Sequence, residues 1–306
     1  MSHSILVTGA AGGQQGSTGR HIANLLIEQG AEVRALVHKQ DARSDGPRER
    51  GAKVVEGDLL DPPSVRSALQ NVKRAFFTYP VADGLLEAAT IFANAARDAG
   101  TELVVNNSQF QNRSEAPSFR NLQHRLADRI FNWAQVGAVH LQAPPYYENL
   151  RALVSRSVSE EGTVFLPWGD GSAVFPLVSA EDVSRVAATL LANVGHPSTS
   201  AYELVGEVPT VNEIIETLGA VLQRPIRYVP ITDEQWKEAV RDRVNPHALD
   251  HLSHLWQYFR SSGIGKGETG FHITDAIRSV TGKDPLSLEQ FFRNNLEVFG
   301  GLHRTA

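Results

Sequence analysis

The sequence contains no cysteine. That absence excludes structural disulfides, thiolate nucleophiles and thiolate metal sites together, and it fits a reducing compartment. No apolar run approaches the roughly 20 residues that a membrane-spanning helix needs, so no membrane association is expected. A surplus of positive charge is also lacking: Lys and Arg number 29 against 34 Asp and Glu, for a net charge of −5. Nucleic-acid binders carry a basic surplus, and that class is set aside. Low-complexity tracts and repeat periods are missing too. The first apolar run begins at Ser4, which leaves no room for a signal peptide, so a cytoplasmic location is expected.

What is present is a chain of 306 residues, 42% of them hydrophobic, long enough for a large core and one or two domains. Its first half alternates short apolar runs with stretches of helical periodicity. Strands are predicted over residues 4–10, 32–38, 53–56, 74–78, 102–107 and 139–142. Helices are predicted over 19–30, 85–100 and 117–136, with a short one after GDLLDPPSV. Runs such as ILV, AFF and LVV are apolar throughout, as strands covered on both faces are. Strands alternating with helices give parallel strands joined by right-handed crossovers. The expected fold class is α/β: a Rossmann-type doubly wound parallel sheet with a smaller, mostly helical C-terminal lobe.

The second half is less regular. Residues 151–175, with Gly162, Gly169 and Gly171, are expected to form a loop-rich insertion. Residues 178–193 read as a helix capped by Ser179, with Asp182 three residues on as a variant of the capping box. A strand is expected over 201–205 and a strand-like piece over 226–230. The dinucleotide-binding part is read as 1–150, completed by 176–205. The remainder, 151–175 and 206–306, is expected to pack over the carboxyl ends of the strands, where ligands of open α/β sheets bind.

TGAAGGQQGSTG joins the first strand to the first helix. Glycines there allow a tight turn and close backbone approach to a pyrophosphate, which the helix N-terminus then holds with free N–H groups. The candidate cradle is Gly9, Gly12, Gly13, Gln14, Thr18 and Gly19. With Gly19 opening the helix, the loop holds an insertion of about four residues, over 13–16, relative to a compact GxxGxxG. The plainer reading is a flexible turn without a ligand. At the end of the second strand, an acidic residue favours NAD and basic residues favour the extra phosphate of NADP. His38 and Lys39 stand there, with Arg43 further on, so NADP(H) is expected; the alternative is that these are solvated surface charges. Asp58 and Leu59 follow the third strand, where adenine would lie. Asp58 could accept from the adenine amino group or cap the following turn. Tyr79 and Pro80 end the fourth strand and Asn107 and Ser108 the fifth, bordering the nicotinamide half of the crevice.

ILVTGAAG, VVEGDLLDPPSVRSAL, FANAARDAG, PYYENL, VSAEDVSRVAATLLAN and DPLSLEQFFRNNLEVF together resemble the NmrA-like family of atypical short-chain dehydrogenases, over most of the chain. The resemblance implies a Rossmann domain, a smaller helical part and binding of NADP(H). The family includes NAD(P)H-dependent reductases of quinones, dyes and plant phenolics, and also regulators that bind dinucleotide without known turnover. Ordinary short-chain dehydrogenases use a tyrosine and a lysine four residues later, and the 117–136 helix has no such pair. His124 stands where many relatives carry the lysine, and Gln142 where they carry an arginine.

Candidates for chemistry are therefore His124, Tyr146 and Tyr147. His124 could donate a proton, or be a structural histidine bonded near Ser108. A tyrosine hydroxyl could polarise a carbonyl, or the ring could pack over the nicotinamide. His247, His251 and His254 share a helix face at a spacing that can bind metal, but no nearby acidic triad or cysteine supports it. They read instead as a polar, pocket-lining face, and no metal is expected. Trp168, Trp236 and Trp256 read as core or pocket wall. The leading expectation is an NADPH-dependent reductase of a conjugated carbonyl, quinone-like or aromatic small molecule. The alternative is a non-catalytic NADP(H) sensor that acts through a protein partner.

Overall fold

The computed structural model describes residues 4–12, 17–110, 117–193, 195, 197–261 and 270–300. In chain order the first half contains β1 (Ile5–Thr8), α1 (Thr18–Glu28), β2 (Val33–Val37), α2 (Ala42–Glu49), β3 (Lys53–Glu56), α3 (Pro62–Leu69), β4 (Arg74–Phe77), α4 (Leu85–Asp98), β5 (Leu103–Gln109), α5 (Phe119–Ala134) and β6 (Val139–Ala143). It continues with α6 (Tyr147–Glu161), β7 (Thr163–Leu166), α7 (Ala180–Ala192), β8 (Ala201–Glu203), α8 (Val211–Leu222), β9 (Arg227–Pro230), α9 (Asp233–Val240), α10 (Pro246–Ser261), α11 (Ala276–Thr281) and α12 (Leu288–Asn294).

Seven strands form one sheet in the order β3-β2-β1-β4-β5-β6-β8, parallel at every pairing. The order reverses between β1 and β4, so the chain winds outward in both directions from that point. A crevice opens there at the carboxyl ends, as the doubly wound fold requires. Every residue of β1 is buried, because helices cover both faces. On one face α1 and α7 pack through Ile22, Leu26, Val183 and Val186. On the other, α3, α4 and α5 build around Phe77, whose ring centre lies 5.0 Å from that of Phe92 and 5.1 Å from that of Phe131. A third core gathers α6, α8, α10 and α12 around aromatic rings, with Trp168 4.6 Å from Phe175 and 5.2 Å from Trp256. All three tryptophans singled out above are buried in it. Among the described residues, no helix is long and apolar enough to cross a membrane.

Two local expectations need correction, and one helix went unforeseen. Residues 151–175 are not loop-rich throughout: α6 runs to Glu161 and β7 follows, paired in parallel with β9. Leu150, Val154 and Val158 recur every fourth residue and bury one face of α6, and Gly162 is its left-handed C-cap at φ 61° rather than a loop marker. Helix α2 lay hidden because its ARSDGPRE contains glycine and proline; Asp41 caps it by accepting from the Arg43 N–H at 2.9 Å. The capping box of α7 does not close. Ser179 accepts from the Glu181 N–H, while Asp182 pairs with Arg185 and accepts from the Leu286 N–H at 2.8 Å, tying α7 to the C-terminal segment.

Candidate functional site

The carboxyl ends of β1 to β6 and one side of α10 enclose a cavity of about 780 Å³. Its size falls within the usual range for small-molecule sites, about 300–1,000 Å³. The glycine loop forms one end. Gly9 and Gly12 adopt positive φ, 68° and 75°, which side-chain-bearing residues rarely take. Gly19 answers a different need. A Cβ there would stand 2.4 Å from the Thr8 carbonyl oxygen, so the absence of a side chain lets α1 start hard against β1. Arg20 folds over Gly12 and donates to the Ala11 carbonyl. The result is a helix N-terminus whose first residues, Thr18 and Gly19, line the cavity beside bare backbone, which suits an anion. Gly9, Gly12, Thr18 and Gly19 all line the cavity; Gly13, Gln14 and the rest of the inserted 13–16 stretch lie outside the described residues.

The edge nearest β2 and β3 carries the charges. His38, Lys39 and Arg43 line the cavity there. Arg43 is already engaged: its guanidinium meets Asp41 at 2.6 and 3.1 Å. His38 and Lys39 are exposed, with His38 Nδ1 3.9 Å from Asp58 Oδ2. Asp58 caps the turn through Oδ1, which accepts from the Leu60 N–H at 2.8 Å. The turn-capping role read from the sequence is therefore the one its Oδ1 fills, while Oδ2 is the oxygen nearer His38. Leu59 lines the same wall. Tyr79 and Pro80 form the facing one, and the Tyr79 hydroxyl donates to the Asp83 carbonyl at 2.9 Å. Arg120 of α5 holds this loop from beneath, donating to the carbonyls of Pro80 at 2.5 Å and Ala82 at 3.0 Å. It is 6% exposed, and burial lowers its pKa to about 10.

At the centre, the ends of β4, β5 and β6 are cross-linked by polar side chains. Tyr146 donates its hydroxyl proton to Asn107 Oδ1 at 3.1 Å, and Asn107 Nδ2 donates to Thr78 Oγ1 at 3.3 Å. Ser108 donates to the buried Asp128 Oδ2 at 3.0 Å. Tyr146 and Ser108 both line the cavity. The pKa of Tyr146 is pushed up, chiefly by burial. His124 also lines the cavity, 8% exposed, and its pKa is pushed well down by burial and then by Arg120 and His251. At neutral pH it carries no charge to give up. Tyr147 does not line the cavity, and its candidacy is corrected accordingly. The chain alternates as it leaves β6, so Tyr146 turns into the cavity and Tyr147 into the third core, its ring 5.5 Å from Phe291.

The far end is roofed by α10. Leu252, Leu255 and Phe259 line this end together with Phe110. His251 ties this roof to the floor. Gln109 Oε1 accepts from Asn121 Nδ2 at 3.5 Å, which leaves Gln109 Nε2 to donate to His251 Nε2 at 3.0 Å. His251 Nδ1 then donates to Ser118 Oγ at 2.7 Å. Burial, with Arg120 second and His254 third, lowers the His251 pKa to about 3. The histidine trio of α10 diverges: His247 approaches Asp83 at 3.5 Å and His254 accompanies Asp250 at 3.5 Å. Asp58 is the sole carboxylate among the described lining residues, so the α10 end is apolar with neutral polar groups.

Asn121, Gln109 and Ser118 went unnoticed in the sequence. Gln109 had a signal: β5 runs two residues past its expected end at 107, so Gln109 repeats the facing of Asn107. Arg120 and Asp128 had none, because their partners are distant backbone and neighbouring strands.

With the geometry in place, comparison with known proteins gives a consistent result. The family model of the NmrA-like family matches residues 1–288. The NAD(P)H azoreductase of Xenophilus azovorans is 24% identical over 303 residues, covering 97% of this chain and 99% of that protein. Among solved structures, the triphenylmethane reductase of Citrobacter sp. complexed with NADP(H) superposes with a TM-score of 0.79 at 20% identity, covering 95% of this chain and 99% of that one. NmrA, a negative transcriptional regulator solved in complex with NAD, superposes with a TM-score of 0.77 at 16% identity over 97% and 96% of the two chains. A family model matched over nearly the whole length, on a parallel sheet of this order, makes the chain a member of the NmrA-like family.

Proposed function

We propose that the protein is an NADPH-dependent reductase of a conjugated carbonyl, quinone-like or aromatic small molecule. One observation carries this reading: a single cavity joins the glycine cradle to an apolar space under α10. A protein that only bound dinucleotide would need the first part and not the second. When bound, the nicotinamide supplies hydride. The chain's own part is to hold and orient. The α1 N-terminus and Gly9, Gly12 and Thr18 would hold the pyrophosphate, with Gly13 and Gln14 assigned there from sequence. His38 and Lys39 would meet the extra phosphate, and Asp58 and Leu59 the adenine. Tyr79, Pro80 and Ser108 would border the nicotinamide ribose side, with Ser108 and Tyr146 accepting hydrogen bonds. We assign 1–150 with 176–205 to the dinucleotide and the rest to the acceptor.

The acceptor class follows from what the site lacks. His124 is neutral at pH 7, and the Tyr146 proton is committed to Asn107. An acceptor that needs a strong acid in the transition state would be reduced poorly. A conjugated acceptor spreads the added charge, and water can protonate the product. The same lack favours a second reading, an NADP(H)-sensing regulator that works through a protein partner.

Titration with NADPH and with NADH, followed by nicotinamide fluorescence, and then addition of quinones, azo dyes and enones tests both. Tight NADPH binding with oxidation on adding an acceptor is the expected result. Tight binding without turnover on any acceptor would replace the reductase by the sensor, and no binding would remove both.

A further inference from the structure

Arg120 is a buried cation without a buried anion to answer it. Its guanidinium donates only to backbone: to the carbonyls of Pro80 and Ala82, and to that of Tyr79 at 3.4 Å. The Nε–H has no partner, and among the described residues no carboxylate pairs with the side chain. The carboxylate whose field reaches it, Asp83, is 92% exposed, where water screens it. Asp128, also buried, lies two turns further along α5, about 12 Å by helix rise, and is taken up by Asn106, Ser108 and His140. A cation removed from water is costly unless opposite charge answers it, and carbonyl dipoles answer it only in part.

This charge sits one layer behind the cavity wall. Tyr79 and Pro80, whose carbonyls it holds, line the cavity on one side. His124, one turn along α5 and so on the same side of the helix, lines it on another. His124 makes no hydrogen bond among the described residues, and a neutral imidazole keeps one N–H to donate. Arg120 lowers the pKa of both His124 and His251, so its field is felt across the wall. The space under α10 thus combines positive potential with an unused neutral donor, while the carboxylate of the cavity, Asp58, stands at the basic edge beside β2 and β3.

We propose that the acceptor end selects by charge: with Arg120 behind its wall, it takes a conjugated acceptor that is neutral or anionic and excludes one that is cationic. The hydride step shows what the charge is for. NADPH is oxidised, a C–H bond forms on the acceptor, the carbonyl π pair moves onto oxygen, and water then gives that oxygen its proton. One negative charge therefore arrives at the acceptor, and preset positive potential in a water-poor site stabilises it. A cationic acceptor meets repulsion on entry and ends neutral, so it loses this benefit. Arg120 touches neither ligand; it acts through its field and through the loop it holds. The proposal rests on the reductase reading for the hydride step and on the cavity alone for binding.

One naphthoquinone frame bearing a sulfonate, a methyl or a trimethylammonium group tests the proposal. Each kcat/KM is divided by that compound's uncatalysed rate with NADPH, which removes its own reactivity. The wild-type chain should favour the sulfonate over the trimethylammonium compound by at least about tenfold, the effect of one charge felt through a side-chain layer at an effective dielectric of about 20. R120Q should erase most of that ratio. R120K loses the same fork of contacts to the 79–82 loop but keeps the charge, and should retain it. A loop-holding role alone would lower all three acceptors alike in both variants. Equal normalised rates for the two charged compounds in the wild type would overturn the proposal, as would a ratio unchanged in R120Q. If no acceptor is turned over, the reductase reading fails by itself. Calorimetric titration of the same three compounds into the chain holding NADP+ then reads the charge preference, and equal affinities, or no binding of the sulfonate, would sink it.

Discussion

Replacing Gly19 with alanine places a methyl group where the fold has no room for one. The added carbon would stand 2.4 Å from the Thr8 carbonyl oxygen and 2.7 Å from the Gly9 carbonyl carbon. Non-bonded carbon contacts settle at about 3.5–4.0 Å. Both neighbours are backbone, so neither can swing aside as a side chain would. Either α1 moves off β1 or the turn between them reshapes. Overpacking a tight site costs about 1–3 kcal/mol, and rigid atoms on two sides put this case near 3 kcal/mol. At about 2–4 °C per kcal/mol, the melting temperature should fall by about 6–12 °C. The shift also carries the first N–H groups of α1 away from the anion they would hold, so NADPH affinity should fall at temperatures where the variant is still folded. G12A is the control. Its new carbon would meet only the mobile guanidinium of Arg20, and the cost is the left-handed backbone at φ 75°, about 1–2 kcal/mol. Thermal melts and fluorescence titrations of both variants decide the matter. A G19A protein with wild-type melting and wild-type NADPH affinity would refute the argument that close helix–strand contact builds the cradle.

Changing His38 and Lys39 together to alanine should weaken NADPH about tenfold or more, as for loss of a charged contact to phosphate, and barely change NADH. Equal losses in a two-cofactor titration would remove the basis for NADP preference. Y146F should lower turnover by less than about tenfold, because its hydroxyl proton goes to Asn107 and one net hydrogen bond is worth about 1 kcal/mol. A loss of about a thousandfold in steady-state rates would instead make Tyr146 the proton donor. Stability should fall as pH drops below 6.5. His140, lowered to about 4 by burial, and His251, lowered to about 3, take up protons on unfolding, so their contribution is complete above the unfolded value of 6.5 and is lost as pH falls through the folded ones. Glu148 and Asp182, raised by burial, act in the opposite sense. Urea melts at pH 7 and 5 that show no loss at the lower value would contradict histidine dominance.

Much of the sheet was legible because buried parallel strands leave a plain mark: β3 falls on its expected residues, and β1, β2 and β4 lie within two residues of their expected bounds. The glycine cradle was legible for a related reason, since φ above zero and a contact with backbone both demand the one residue without a side chain. Residues that act through distant neighbours were not. Arg120 reads in sequence as a surface charge on an amphipathic helix, and only the loop after β4 shows why it is buried. Tyr146 and Tyr147 are indistinguishable as letters; alternation along the chain sends one to the cavity and the other to a core. His251 stood out for a spacing that suggests metal, whereas its partners are an amide and a hydroxyl from other elements.

The cavity draws its two ends from different stretches of chain. The glycine cradle and the basic edge come from residues before Leu60, while the apolar roof comes from α10, far downstream. His251 ties α10 to Gln109 and Ser118, neither of which belongs to the glycine turn or the basic edge. On the proposed reading, a lineage could try new acceptors by rewriting a single helix while the glycine turn stays as it is, and related chains with the same floor and different roofs would be the natural outcome of such a history.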